Sequence, residues 1–151
     1  MLVVEDDSTL AELLARLLEL KFDVVGIASR GNDVLPMVRR HRPDVITMDL
    51  GLTDADGTDL TTIITREHPS SRVVMATARS GRRDLMRGLA AGAVGFLTKP
   101  FSGDEFLATV EEAARGGFPI AAQTHLSAEE IIETQELIVE KINLRNAIEN
   151  R

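Results

Sequence analysis

The feature that most constrains the fold is a repeated alternation of short apolar runs with helical patterns between residues 2 and 115. Apolar runs rich in β-branched residues predict strands, and leucine or isoleucine at helical spacing predicts the helices between them. The five predicted strands lie at residues 2–4, 22–28, 45–48, 73–77 and around 96–97. Uninterrupted apolar strands are expected where helices cover both faces of a parallel sheet. We therefore predict an α/β fold, a doubly wound five-stranded parallel sheet with five helices.

Cap residues and apolar spacing predict where the first two helices begin and which way they face. Ser8 is predicted to cap the first helix, and Asn32 the second, with Pro36 in or near the first turn of that second helix. Five leucines are predicted to turn the first helix toward the core: Leu10, Leu13, Leu14, Leu17 and Leu18.

Composition narrows the class of protein. The 151 residues suit one domain with an appendage, and the absence of cysteine excludes disulfides and thiolate metal sites. A net charge of −7, with no Tyr or Trp, disfavours unassisted binding to nucleic acid. No apolar run approaches the ~20 residues that span a bilayer, and the N-terminus does not resemble a signal peptide. We expect a soluble, cytoplasmic protein.

Polar or charged residues stand where four of the five predicted strands end. They are Glu5 with Asp6, then Asp49, Thr77 and Lys99. Open parallel sheets bind ligands outside the carboxyl ends of their strands, so these side chains are expected to share one site.

The chemistry of this set favours phosphoryl transfer. Three neighbouring carboxylates repel one another unless a cation is present, and oxygen ligands alone suit Mg²⁺ (or Mn²⁺). An ionised Asp49 is a nucleophile that needs no base, while Lys99 and the Thr77 hydroxyl can pair with phosphoryl oxygens. We interpret Asp49 as a carboxylate that accepts a phosphoryl group.

Four segments carry a family resemblance. Leu2–Asp7, Met48–Gly57, Val74–Ala78 and Gly95–Phe101 resemble, in order and separation, the four signatures of CheY-like receiver domains of two-component response regulators. The resemblance covers roughly residues 1 to 115 and implies the flavodoxin-like strand order 2-1-3-4-5.

The resemblance also implies a role for each matching residue. Asp49 would be the phosphoacceptor and Pro100 would follow a cis peptide bond. The metal would be held by Glu5, Asp6, Asp49 and the backbone carbonyl of Gly51. The phosphoryl-binding and switch residues would be Thr77, Ala78, Lys99 and Phe96. The family commonly has Pro where this chain has Thr53, which leaves the geometry of the loop after Asp49 open.

The implied function is a phosphorylation-dependent signalling switch of a two-component system. A histidine kinase or phosphotransfer protein would supply the phosphoryl group, and the chain would relay it by conformational change to a downstream protein partner. Beyond self-catalysed phosphorylation and dephosphorylation we expect no enzyme activity, because an aspartyl-phosphate phosphatase needs a second acid where Gly51 stands.

Simpler explanations exist for several of these residues. Asp49 could end a strand or form a structural ion pair with Lys99, and Phe96 could serve only the core. The loop acids Asp7, Asp54 and Asp56 are predicted to be solvated or to cap helices. The histidines are predicted to lie at the surface, and an arginine cluster is predicted at a solvated helix start; these residues are His41, His68, His125, Arg79, Arg82 and Arg83.

The rest of the chain is predicted to be a linker and a helix. We take residues 1–115 as the receiver domain, 116–126 as a linker and 127–151 as an amphipathic helical extension. Its apolar stripes favour pairing as a dimer or with a partner helix, with docking on the same chain as the alternative. The extension is acidic, so we expect no direct DNA binding. The rival function is an RNA-binding antiterminator that uses the C-terminal helices.

Overall fold

The computed structural model describes residues 1–79 and 81–119, together with positions 132, 136, 140, 143 and 147. The strands are β1 Leu2–Val4, β2 Gly26–Ala28, β3 Val45–Met48, β4 Arg72–Thr77 and β5 Gly95–Thr98. The helices are α1 Ser8–Glu19, α2 Gly31–His41, α3 Gly57–Glu67, α4 Arg82–Ala91 and α5 Gly103–Ala114. None of the helices in this described part has the length and apolar character needed to cross a membrane.

The five strands form one parallel sheet in the order β2-β1-β3-β4-β5, which confirms the predicted fold. One row of paired residues crosses four strands, from Val4 through Met48 and Met75 to Phe96. The row is followed directly by Glu5 and Asp49 after β1 and β3, and β4 and β5 each continue for two more residues, to Thr77 and Thr98. This register fixes the relative height of the groups at the strand ends.

Alternate side chains of β1, β3, β4 and β5 enter cores on opposite faces of the sheet, whereas Ile27 of the edge strand β2 is exposed. On one face α1 and α5 cover residues such as Val3, Val45 and Leu97. On the other face α2 and α3 cover Ile46 and Met48, and α4 covers the part of the sheet around Met75 and Phe96. The sheet is therefore buried on both sides, as its uninterrupted apolar strands predicted.

The first two helices begin differently from the prediction. The carboxylate of Asp7, not Ser8, caps α1 by accepting a hydrogen bond from the Leu10 amide at 3.1 Å. Asn32 is the second residue of α2, and Pro36 is its sixth, beyond the first turn. The cap of α2 comes from Asp54, far along the chain, which a local pattern cannot indicate.

One predicted core leucine of α1 faces solvent. Leu13 is 54% exposed, whereas Leu14 and Leu18 are buried and Ala11 and Ala15 complete the core-facing side. The buried stripe of α1 therefore runs through Ala11, Leu14, Ala15 and Leu18 and leaves Leu13 outside it. The predicted stripe was therefore wrong at Leu13.

Residues just after α5 pack against the sheet. The Arg72 side chain donates to the Gly117 carbonyl and lies over the Phe118 ring, 5.0 Å from its centroid. The Phe96 amide donates to the Pro119 carbonyl at 3.0 Å. Phe118 also contacts the cores on both faces of the sheet. Segment 117–119 thus continues the folded unit across the start of β4 and along β5.

The predicted helical extension, 127–151, falls largely outside the described residues. The five described positions within it, Ile132, Glu136, Glu140, Asn143 and Ala147, are helical and exposed. The dimerisation and docking interpretations of this segment stay predictions.

Candidate functional site

The parallel sheet brings the predicted strand-end residues together at one edge. Glu5 and Asp49 follow neighbouring strands, and the Asp49 amide donates to the Val4 carbonyl at 3.1 Å. Thr77 ends β4, and its carbonyl accepts a hydrogen bond from the Lys99 amide at 2.8 Å. Backbone hydrogen bonds of the sheet therefore continue into the site and hold its side chains on a rigid base.

Three carboxylates converge at this edge. Glu5, Asp6 and Asp49 each present an oxygen, and these oxygens lie within 4.8 Å of one another. Glu5 and Asp49 are buried, with 2% and 7% of their surfaces exposed, while Asp6 is exposed. The donor set consists of carboxylate oxygens, so it fits a hard divalent cation such as Mg²⁺.

Lys99 supplies positive charge to the same cluster. Its ammonium forms an ion pair with Glu5 Oε1 and lies 3.5 Å from Asp49 Oδ2. The Lys99 side chain keeps 21% of its surface exposed, whereas that of Glu5 keeps 2%. Lys99 is therefore the more solvent-accessible partner in its ion pair with Glu5.

Burial raises the pKa of Glu5 above its ordinary value. The hydrogen bond from Lys99 opposes this effect, and the nearby charge of Asp49 adds to it. Because loss of water disfavours the ionised form, the site favours additional positive charge at physiological pH. A bound divalent cation would supply that charge.

The loop after Asp49 is folded tightly against the end of β3. Asp49 Oδ1 accepts a hydrogen bond from the Gly51 amide at 3.2 Å, and Gly51 pairs with Asp56 in an isolated bridge. A Cβ at Gly57 would collide with the Asp49 carbonyl oxygen, so the absence of a side chain lets α3 begin beside the candidate phosphoacceptor. The space around Gly51 is open, and its proposed carbonyl ligand stays a prediction.

The predicted switch residues lie along β4 and β5. Thr77 is buried, and its hydroxyl oxygen accepts a hydrogen bond from the Arg79 amide at 3.2 Å. Ala78 follows it and is exposed. Phe96 is 1% exposed and packs in the core beneath α4, as the simpler packing explanation also expects. The Lys99–Pro100 peptide bond is cis, as predicted.

The loop acids act as helix caps, which confirms that prediction. Asp7 caps α1, and Asp56 caps α3 by accepting from the Thr58 amide at 2.7 Å. Asp54 accepts from the Gly31 amide at 2.7 Å and the Asn32 amide at 3.3 Å, so it caps α2 from a distant loop.

Thr53 makes a contact that sequence reasoning missed. Its hydroxyl donates to Asp6 Oδ2 at 3.1 Å, which joins the loop after β3 to the acidic turn after β1. The sequence marked Thr53 only as a departure from the usual proline. No local pattern in the sequence indicates this hydrogen bond, because it joins residues 47 positions apart.

Comparison with known proteins identifies the receiver domain that the four sequence signatures resemble. The family model described as the response regulator receiver domain matches residues 1–111. The chain is 36% identical over 113 residues to the transcriptional regulatory protein CreB of Escherichia coli K12, covering 75% of this chain and 49% of CreB. It is 34% identical over 114 residues to the DNA-binding response regulator MtrA of Mycobacterium tuberculosis H37Rv, covering 76% of this chain and 50% of MtrA. The chain therefore spans about half the length of these relatives.

Solved structures of response regulators have the same fold as this chain. A LuxR-family two-component response regulator from Aurantimonas sp. SI85-9A1 superposes with a TM-score of 0.77 at 25% identity, covering 87% of this chain and 94% of that one. The response regulator DrrB of Thermotoga maritima, an OmpR/PhoB homologue, superposes with a TM-score of 0.69 at 26% identity, covering 78% and 53%.

Proposed function

Since this chain belongs to the response regulator receiver domain family, we propose that its Asp49 carboxylate accepts a phosphoryl group. The family places the domain in phosphorylation-dependent two-component signalling. The observation that carries the assignment of Asp49 is its position: a carboxylate at a buried strand end, with Lys99 at 3.5 Å and the acidic pair Glu5 and Asp6 beside it.

In the proposed reaction an oxygen of Asp49 forms a bond to the phosphorus of the donor. The bond between phosphorus and the donor's leaving group breaks, and the leaving group keeps that electron pair. The donor is a phosphohistidine of a histidine kinase or phosphotransfer protein. Lys99 and the Thr77 hydroxyl would pair with phosphoryl oxygens, since catalysis of this transfer depends on positioning and electrostatics.

The metal ligands would be Glu5, Asp6, Asp49 and the Gly51 carbonyl. A bound Mg²⁺ or Mn²⁺ would supply positive charge that offsets the negative charge of the phosphoryl group and the carboxylates. Lys99 performs part of the same task, because it already pairs with Glu5. These residues would bind the cation and orient the reacting groups. No separate general base is required, because Asp49 reacts as an ionised carboxylate.

The relay would pass through β4 and β5. Thr77 and Ala78, which end and follow β4, are the residues proposed to contact a new phosphoryl group, and Phe96 lies in the core below α4. Movement of Thr77 toward the phosphoryl group would change the space available to Phe96. We propose that the chain acts as a switch and has no enzyme activity beyond its own phosphorylation and dephosphorylation.

The names of the relatives suggest what the phosphorylated domain controls. MtrA is named as DNA-binding and CreB as a transcriptional regulator, so these names do not support the expectation that direct DNA binding is absent. We propose that the domain controls an output through protein contact or through a DNA-binding segment joined to it. The antiterminator alternative rested on C-terminal helices that lie largely outside the described residues, and no observation favours it.

The phosphoacceptor is tested by incubating the full chain with acetyl phosphate and Mg²⁺ and measuring its intact mass. We expect one base-labile phosphoryl adduct on the wild type and none on Asp49→Asn. Asp59→Asn, at an exposed position of α3, is the matched control and should gain the adduct. An equal adduct on Asp49→Asn, or none on the wild type, would refute the assignment.

A further inference from the structure

The hydrogen bond from Thr53 to Asp6 joins two segments that are 47 residues apart. Asp6 belongs to the turn after β1, and Thr53 to the loop between β3 and α3. The bond spans 3.1 Å from the hydroxyl oxygen to Asp6 Oδ2. It therefore ties one carboxylate of the candidate metal site to the loop that carries the phosphoacceptor.

The other two carboxylates of the cluster are oriented by different groups. Glu5 Oε1 pairs with Lys99, and Glu5 Oε2 accepts from the Asp7 amide at 3.2 Å. Asp49 Oδ1 accepts from the Gly51 amide at 3.2 Å. Asp6 is the exposed member of the three, so its side chain has the most rotational freedom to lose when a cation binds.

Thr53 is itself held on both sides. Gly51 pairs with Asp56 across the loop, and Asp54 is bonded to the start of α2. Its hydroxyl is consequently presented from an anchored segment. A proline at this position, as the family commonly has, could not make this hydrogen bond.

We propose that Thr53 is a positioning residue that orients Asp6 for a divalent cation. The inference rests on the proposed metal site of the phosphorylation reaction. The hydroxyl proton occupies one lone pair of Oδ2 and leaves the remaining lone pairs of Asp6 to the cation. Partners that orient metal ligands in this way commonly contribute ten- to hundredfold in affinity, and for this exposed bond we expect about tenfold.

The test is calorimetric titration of the full chain with Mg²⁺, without any phosphodonor. Thr53→Val keeps the shape and removes the hydroxyl, so its dissociation constant should rise about tenfold. Thr53→Ser keeps the hydroxyl and should bind within about twofold of wild type. Thr62→Val is the matched control: it removes a threonine hydroxyl that bonds the Thr58 carbonyl within α3, and it should leave the affinity unchanged.

The outcomes separate this inference from the proposed function. If the wild type binds Mg²⁺ and Thr53→Val binds equally or more tightly, the inference is overturned while the metal site stands. If the wild type does not bind Mg²⁺, the proposed metal site fails and the inference with it. Circular dichroism and urea unfolding of each variant without metal exclude an effect of misfolding, and recovery in Thr53→Ser assigns the effect to the hydroxyl.

Discussion

At the scale of single residues, the position of the proposed phosphoacceptor, Asp49, depends on a glycine eight positions further along the chain. Gly57 begins α3, and a Cβ there would meet the Asp49 carbonyl oxygen and, at 2.9 Å, the Leu50 Cα. Both are backbone atoms, which cannot swing aside as the end of a flexible side chain can. Gly57 therefore lets the start of α3 lie directly against the strand end that presents Asp49.

Gly57→Ala should consequently destabilise the protein and displace Asp49. Inserting a methyl group into a closely packed site costs about 1–3 kcal/mol, measured as the free energy of unfolding in urea. Phosphorylation from acetyl phosphate, followed by intact mass, should also slow. Gly51→Ala is the matched control for stability, because a Cβ at Gly51 meets nothing within 4 Å. Equal stability of the two variants would contradict this account.

At the scale of elements, the loop between β3 and α3 is tied to its neighbours by carboxylates. Asp54 holds the start of α2, and Asp56 caps α3 and lies 3.6 Å from Arg87 of α4. The hydrogen bond from the Gly31 amide, aided by that from Asn32, lowers the pKa of Asp54. The ionised Asp54 is thus stabilised by folding.

The direction of this pKa shift predicts how the loss of stability caused by Asp54→Ala depends on pH. A carboxyl group with a lowered folded-state pKa adds stability that is fully present above its ordinary value of 3.8. That contribution disappears as the pH falls through the lowered pKa. Asp54→Ala should therefore be less stable than wild type at pH 7, and the difference should shrink below pH 3.8. Urea unfolding across this range measures it, and a difference that does not change with pH would be inconsistent with the cap.

The segment after α5 is a second element-scale feature. Phe118 is half-buried, contacts the cores on both faces of the sheet and stacks with Arg72. Phe118→Ala should lower the free energy of unfolding by about 2 kcal/mol, roughly half the usual cost for a fully buried phenylalanine. Leu13→Ala, at a position 54% exposed on α1, is the control and should change stability little. If the two variants lose equal stability, segment 117–119 does not belong to the folded unit.

At the scale of the whole molecule, the C-terminal extension is predicted to control association. Its apolar stripes need a surface to bury against, either on another chain or on the same one. We expect the full chain to sediment as a dimer and a variant that lacks residues 126–151 to sediment as a monomer. The same monomeric mass for both would exclude the helical pair and favour docking on the same chain. The truncated variant keeps segment 117–119 and with it the five strands and helices α1 to α5.

The sequence alone determined the sheet, its helices and the residues gathered at its edge. Strand and helix patterns are local, and a parallel sheet carries every strand end to the same side. The sequence therefore suffices to group four strand-end residues, Glu5, Asp49, Thr77 and Lys99. The four signatures in order then indicated the family, which the receiver-domain match over residues 1–111 confirms.

Only the tertiary structure decided which distant groups meet. The contacts of Thr53 with Asp6 and of Asp54 with Gly31 join segments 47 and 23 residues apart. Hydrogen bonds between such segments leave no periodic pattern in the sequence, because their geometry is set by how the loops pack. For the same reason the sequence does not indicate that Asp54 caps α2 or that Thr53 anchors the loop after Asp49. The exposure of Leu13 has a different cause: apolar spacing alone does not specify which side of α1 packs on the sheet. The sequence identified the candidate reacting groups, whereas packing determined which side chains and amides orient them.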